Sequence, residues 1–316
     1  MNYPQTRPSE NYALWLKIGS FFLYSIQNGI NKYLLQQSSP ALSPEKIIFY
    51  QYAIASCILL ALMKYNSEHI SWPKQYSYHF IRIVSSACAL LCFNHAIMNT
   101  SIADSIGIGL LSPLVGLTLS FVFLNERMNT RLTGILMLAQ LSSMAWVLGN
   151  KVDTWSWQIQ LNHWLFPFLT SICFNINTIY TKKLCNLGEK QNLLLLSTLC
   201  GITLIISPTI GLDVVPSLEQ LSLLFFMASI SLTATWMLQK AIANARLNFL
   251  LPLGVCKYLL AVGFDIFIFR GSVSSMQLIS MLLAIVCIHL LQTTYHSDKK
   301  HSLRGWQLKN FIAKPS

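Results

Sequence analysis

Lys257 stands near the middle of residues 247–269, a stretch otherwise almost wholly apolar. A lysine at the centre of a membrane span costs roughly 2.5–3.5 kcal/mol on insertion scales, so it must face a cavity or a partner. One role is to bind an anionic group such as a carboxylate; the other is to pair with a carboxylate or backbone carbonyls inside the fold. A second polar set is Gln27, Asn28 and Asn31, with Asn177, Thr178 and Thr181 as its echo 150 residues later. Positions i, i+1 and i+4 lie near one face of a helix. Amides buried in an apolar medium are costly unless satisfied. These residues either bind a polar molecule or bond neighbouring helices. Asn94, His95, Trp236 and Gln239 extend the set. Asp104 and Asp265 each stand near a span end, where they either exchange a proton during a working cycle or sit as solvated end charges. Asp265 follows Lys257 by eight residues, about 12 Å along a helix, which is too far for direct pairing.

The elements that must hold these residues follow from composition. The chain has 316 residues, 53% hydrophobic and 10% charged, where soluble domains average about 25% charged. Mean hydropathy is +0.50. A span needs about 20 mainly apolar residues. Ten stretches qualify: 13–35, 46–63, 79–98, 102–124, 132–149, 162–181, 191–210, 219–239, 247–269 and 275–295. This predicts an all-α membrane protein of ten transmembrane helices. Residues 1–12 form an N-terminal segment, 13–149 and 162–295 two five-helix units, 150–161 their connection, and 296–316 a basic tail. The first span carries Lys17, Asn28, Asn31 and Lys32 and no small-residue cleavage site follows it, so it reads as a retained helix rather than a signal peptide.

The net charge of +11 raises the question of nucleic acid. The cations cluster between apolar runs, which fits loops beside an anionic membrane surface better. With the N-terminus in the cytoplasm, sixteen of the 22 Lys and Arg fall on that side, Arg82 and Lys182 among them. Four, Lys32, Lys46, Lys151 and Arg270, fall on the other. The positive-inside bias therefore predicts ten spans with both termini cytoplasmic. Trp155, Trp157 and Trp164 cluster as interfacial aromatics do.

Five spans per unit is an odd number, so the second unit is upside down relative to the first. Pro113 with Gly107, Gly109 and Gly116 marks the fourth span; Pro252 with Gly254 and Gly263 marks the ninth. Proline removes a backbone donor and bends a helix, and a carbonyl freed in lipid needs a partner or a wet cavity. Interruptions at corresponding places in two inverted repeats point to a central site lined by the breaks. The other reading is helix packing alone. Seven of the eight cysteines lie in apolar stretches and read as free thiols. No Cys/His/acid spacing completes a metal set, and no HExxH, GxSxG or GxxxxGK[ST] occurs. No metal, no cofactor and no enzymatic site is expected.

Residues 103–140 read ADSIGIGLLSPLVGLTLSFVFLNERMNTRLTGILMLAQ. With Ala103, Pro113, Asn125-Glu126-Arg127 and Gly134, this string resembles the fourth and fifth helices of an EamA-type carrier of the drug/metabolite transporter superfamily. Arg82 also resembles a family arginine. The resemblance extends in outline over 13–295. It implies ten helices, inverted five-helix repeats and a central cavity opening alternately to each side. Departures are Arg270-Gly271 in place of an acidic counterpart to Asn125-Glu126, Gln51 where many members carry an arginine nearby, and Lys257 where some branches carry an acid. Segments 25–34, 45–60 and 82–126 also resemble S-adenosylmethionine carriers of intracellular bacteria.

The expectation is a secondary transporter of a small polar or amphipathic metabolite, an amino acid or related compound, embedded in a bilayer such as a bacterial inner membrane. It would work as a monomer or homodimer without nucleic acid. The alternatives are an S-adenosylmethionine-type nutrient carrier, a drug/metabolite exporter of the same fold, and, in another class, an intramembrane enzyme acting on lipids. The topology is checked by fusing a reporter that fluoresces only when folded in the cytoplasm to Ser316. A fluorescent fusion is expected; a dark fusion that an exported-enzyme reporter replaces with activity contradicts the orientation.

Overall fold

A computed structural model describes residues 10–38, 40–68, 73, 75–99, 102, 105–106, 112–124, 134, 137–138, 157–210, 215–267, 279, 282–283, 286 and 290. All regular elements among them are helical. They are α1 (Glu10–Gln36), α2 (Pro44–Tyr65), α3 (Tyr76–Asn99), α4 (Ser112–Leu124), α5 (Trp157–Asn186), α6 (Gln191–Ile206), α7 (Leu218–Asn244), α8 (Leu247–Leu250) and α9 (Gly254–Phe267), with 3-10 turns at Ser207–Thr209 and Leu251–Leu253. The predicted spans 132–149 and 275–295 and the tail lie largely outside the described residues, as do Glu126 and the tryptophan side chains at 155, 157 and 164.

Four of the described helices are long and apolar enough to cross a membrane: Pro44–Tyr65, Tyr76–Met98, Gln191–Thr209 and Leu218–Asn244. The rest fall short for visible reasons. α1 carries the amide stripe and two lysines, and the ninth span is interrupted.

Helix ends follow local chemistry. Ser43 caps α2 by accepting from the Lys46 N–H, and Pro44 starts the helix where a missing N–H costs nothing. Ser217 and Gln220 form a reciprocal capping box on α7. After α5, Gly188 adopts φ +77°. This lets the Glu189 N–H reach Leu184 O and the Gly188 N–H reach Cys185 O, closing the helix in a Schellman motif.

α3 lies along α5 and α1 along α7 in the two most extensive packings. α2 packs on α6 and α7, α6 on α3, α4 on α5, and α9 on α1. The larger apolar core joins α2, α3, α6 and α7 around Tyr52, Leu59, Leu195, Leu199 and Ala228. The second joins α1, α5 and the end of α7 to Leu247, Leu250 and Leu253. Gly201 lets α6 approach α3 closely, since a Cβ there would meet Ile83 at 2.6 Å. At one end Lys183 lies over the rings of Phe123, Tyr180 and Tyr78, at 4.8, 5.3 and 5.5 Å, tying α4 and α3 to α5.

The ninth span is broken as the sequence predicts. α8 gives way to the 3-10 turn that contains Pro252, and α9 resumes at Gly254. The Leu250 carbonyl at this break accepts from Lys17 Nζ of α1 at 2.5 Å. Two other cations counted as loop charges turn out to do similar work inside helices. Lys182 is buried in α5 and donates to Ile242 O at 2.7 Å and Ala245 O at 2.8 Å, capping the end of α7 where the helix dipole favours a cation. Arg82 in α3 is fully buried and donates to Leu194 O and, at 2.9 Å, to Ser197 Oγ of α6.

Replacing Lys17 by Met removes this charge-assisted bond to the Leu250 carbonyl and is expected to destabilise the folded protein by about 1–3 kcal/mol. Thermal unfolding of the purified variant in detergent measures this, and an unchanged Tm contradicts it.

Candidate functional site

The residues that could meet a ligand converge where α1, α3, α4, α5 and the broken ninth span cross. From α1 come Gln27, Asn28 and Asn31, all buried. From α3 comes Asn94, whose Oδ1 accepts from Asn31 Nδ2 at 2.7 Å. This pair satisfies part of the stripe only. Gln27 Oε1, Asn28 Nδ2 and Asn31 Oδ1 are buried with no hydrogen-bond partner. Buried polar atoms are overwhelmingly paired in folded proteins, so three orphans within five residues of one helix mark a place where bonding capacity is held open. Gln51 of α2 adds a fourth orphan, its Nε2.

The second-half stripe is arranged differently. Thr181 Oγ1 donates to Asn177 Oδ1 at 3.3 Å, and Thr178 Oγ1 donates to Phe174 O at 2.8 Å, both within α5. These groups satisfy one another along their own helix. The sequence echo therefore does not extend to equal bonding capacity.

Gly116 of α4 and the Pro252 turn meet at Asn175. A Cβ added to Gly116, three residues after Pro113 in α4, would lie 2.6 Å from Asn175 Oδ1 and 3.0 Å from Leu251 Cδ2. Gly116, Asn175 and the Pro252 turn are thus in close contact. Glycine is what permits the approach at 116, because any side chain would occupy the space that Asn175 and Leu251 fill.

Lys257 lies three residues into α9 and is half-buried. Its Nζ stands 5.7 Å from the Phe93 ring of α3 and 5.8 Å from the Phe174 ring of α5. Among the described residues no carboxylate pairs with it. Pairing with a backbone carbonyl is seen at Lys17, which donates to Leu250 O. Sequence reasoning had noted Lys17 only as an interruption of the first span.

A second feature escaped that reasoning. Cys92-Phe93-Asn94 in α3 and Cys173-Phe174-Asn175 in α5 are the same tripeptide. Each phenylalanine faces Lys257, each asparagine is buried, and Cys92 and Cys173 come within electrostatic range of each other. The signal was available as a three-letter repeat, but it joins the third span to the sixth rather than positions related by the 150-residue offset.

The remaining predicted residues stand apart. Trp236 is 36% exposed and carries Lys240 Nζ 4.4 Å over its ring, an arrangement of a rim rather than a pocket. Gln239 is buried with Oε1 unpaired. His95 stacks on Phe166 and stands 3.4 Å from Glu45, bridging α3, α5 and the start of α2. Pro113 is the second residue of α4. Asp104 and the side chain of Asp265 lie outside the described residues. Among the described residues no cluster of His, Cys, Asp and Glu could hold a metal ion.

Comparison with known proteins bears on the fold and the family separately. One solved crystal structure superposes with a TM-score of 0.71 at 12% identity, covering 91% of this chain and 99% of that one. It is one of 28 matching chains of solved structures. At that identity the likeness shows the fold alone. No curated protein matches the sequence. The model of the EamA-like transporter family matches residues 12–148, which include the amide stripe, Arg82, the first Cys-Phe-Asn and Pro113. Over those residues, fewer than half of the chain, the sequence is similar to the EamA-like transporter family.

Proposed function

We propose that the protein is a secondary carrier that moves a small polar or amphipathic metabolite by alternating access, built as two inverted five-helix repeats. The observation that carries this reading is the meeting of Gly116, Asn175 and Leu251. It brings the Pro- and Gly-containing helix of the first half against the broken ninth span, which supports a site between the halves as in carriers whose site lies at a repeat interface.

The packing pattern supports the repeat. Exchange each helix for its counterpart in the other half, α1 for α5, α2 for α6, α3 for α7, and α4 for the broken ninth span. The α3–α5 packing then becomes α7–α1, the α2–α7 packing becomes α6–α3, and the α4–α5 packing becomes α9–α1. Each of these is among the main packings described. The ligand would be met by Gln27, Asn28, Asn31, Asn94 and Lys257, with Asn177 and Thr178 contributing less because their groups already bond within α5. The positive-inside count supports cytoplasmic termini. Proton coupling through Asp104 or Asp265 is the reading that dissipating the pH gradient tests, and flux that ignores the gradient removes it.

The decisive experiment reconstitutes the protein in liposomes and measures counterflow of labelled metabolites. Saturable, counterflow-competent uptake is expected. Product formation from lipid without flux favours the intramembrane enzyme instead. Within this assay Gly116→Ala, which forces Asn175 and Leu251 apart, is expected to slow counterflow several-fold. Gly134→Ala, whose Cβ meets nothing within 4 Å, is the control expected to leave it unchanged. Equal rates for both variants contradict the role given to the crossing of the breaks.

A further inference from the structure

A cation within an apolar fold requires a counter-group. Three of the buried cations have one in the form of a backbone carbonyl: Lys17 on Leu250, Lys182 on Ile242 and Ala245, Arg82 on Leu194. Lys257 differs. Its described contacts are two aromatic faces, both near the outer limit of about 6 Å for a cation–π contact. A ring face attracts a cation but offers no lone pair to three ammonium protons. Among the described residues no group accepts from its ammonium, and it lies where Phe93 of the first half and Phe174 of the second meet.

The surroundings set the sign of what fills that place. Lys17, bonded to the Leu250 carbonyl, and Lys257, three residues into α9, place two cations along the broken ninth span, where like charges repel. Among the described residues no carboxylate neutralises either. A cationic ligand would add to this repulsion, and an uncharged one would leave Lys257 as it is. An anion relieves it. The flanking rings set the shape: Phe93 from α3 and Phe174 from α5 present apolar faces beside the ammonium. The orphaned amides of α1 supply neutral donors and acceptors near Asn94, which follows Phe93 in α3.

We propose that the central site selects an amphipathic organic anion, binding its carboxylate at Lys257 and its apolar part against Phe93 and Phe174. The proposal rests on the carrier reading above and narrows its substrate class, separating it from cationic drugs and from amines. Lys17 acts as a positioning residue: its bond to Leu250 fixes the break from which α9 presents Lys257.

The test uses the full-length protein purified in detergent and a panel of amphipathic monocarboxylates, each with its matching primary amide and amine. 4-Methylpentanoate, 4-methylpentanamide and 4-methylpentan-1-amine form one such set, with one apolar tail and different charge. A ligand bound by the folded state raises Tm in a saturable way. The expected result is stabilisation by carboxylates and none by the amides or amines. Lys257→Gln should abolish the shift, and Lys257→Arg should retain it. The wild-type comparison stands by itself if Lys257→Gln fails to fold. The proposal is overturned if amides or amines stabilise as well as carboxylates, if a folded Lys257→Gln keeps the carboxylate shift, or if no carboxylate in the panel shifts Tm.

Counterflow of the same compounds separates the two claims. An amine that exchanges while carboxylates do not leaves a carrier and removes the anion site. A carboxylate that binds through Lys257 but never exchanges leaves the anion site and removes the carrier.

Discussion

The Leu250 carbonyl sits at the interruption of a helix, where backbone polar groups need partners that hydrocarbon cannot supply. The ammonium of Lys17 donates to it from another helix. Much else depends on that bond. It makes the Pro252 break tolerable in a membrane, it docks α1 against the ninth span, and it sets the start of α9, from which Lys257 projects. The same solution recurs at Lys182 and Arg82, which join α5 to α7 and α3 to α6 through carbonyl oxygens. A chain with only 10% charged residues uses several of its cations as bolts between helices. Carbonyl partners suit this setting because they spare the fold a buried carboxylate and its own desolvation.

The described helices of the two halves find corresponding neighbours. Yet the α1 stripe holds three unpaired polar atoms, while its echo in α5 closes hydrogen bonds on itself. Threonine explains part of the contrast, because its short hydroxyl reaches a carbonyl one turn back in its own helix, whereas asparagine and glutamine reach outward. Among the described residues the unpaired polarity is therefore concentrated in the first half, and the ninth span adds a cation that has no counterpart described in α4.

How much of this could be read from the sequence depends on the range of the interaction. Hydropathy placed the described spans to within a few residues, because crossing a membrane demands a long apolar run whatever it packs against. Pro252 announced its break because the missing N–H is a local fact. The stripe of Gln27, Asn28 and Asn31 was visible as one helix face. What stayed hidden needed a partner distant in sequence. Lys17 reads as an unexplained polar residue until Leu250, 233 positions away, is brought beside it. Arg82 reads as a loop charge until α6 covers it. Trp236 reads as a stacking platform until Lys240 and the solvent-facing side of its ring are seen. The paired Cys-Phe-Asn tripeptides gain meaning only when α3 and α5 lie together.

The contact of Gly116, Asn175 and Leu251 has a consequence for how the sequence can change. One small volume is shared by a glycine from one half, an amide from the other and a leucine from the interrupted helix. The sum of their sizes is constrained, not each size alone. A larger residue at 116 is admissible only if 175 or 251 shrinks, and a shorter residue at 175 opens room for a side chain at 116. The three positions should drift together in descent, so that a helix of the first half and the broken ninth span, more than a hundred residues apart in the chain, are inherited as a single compound character.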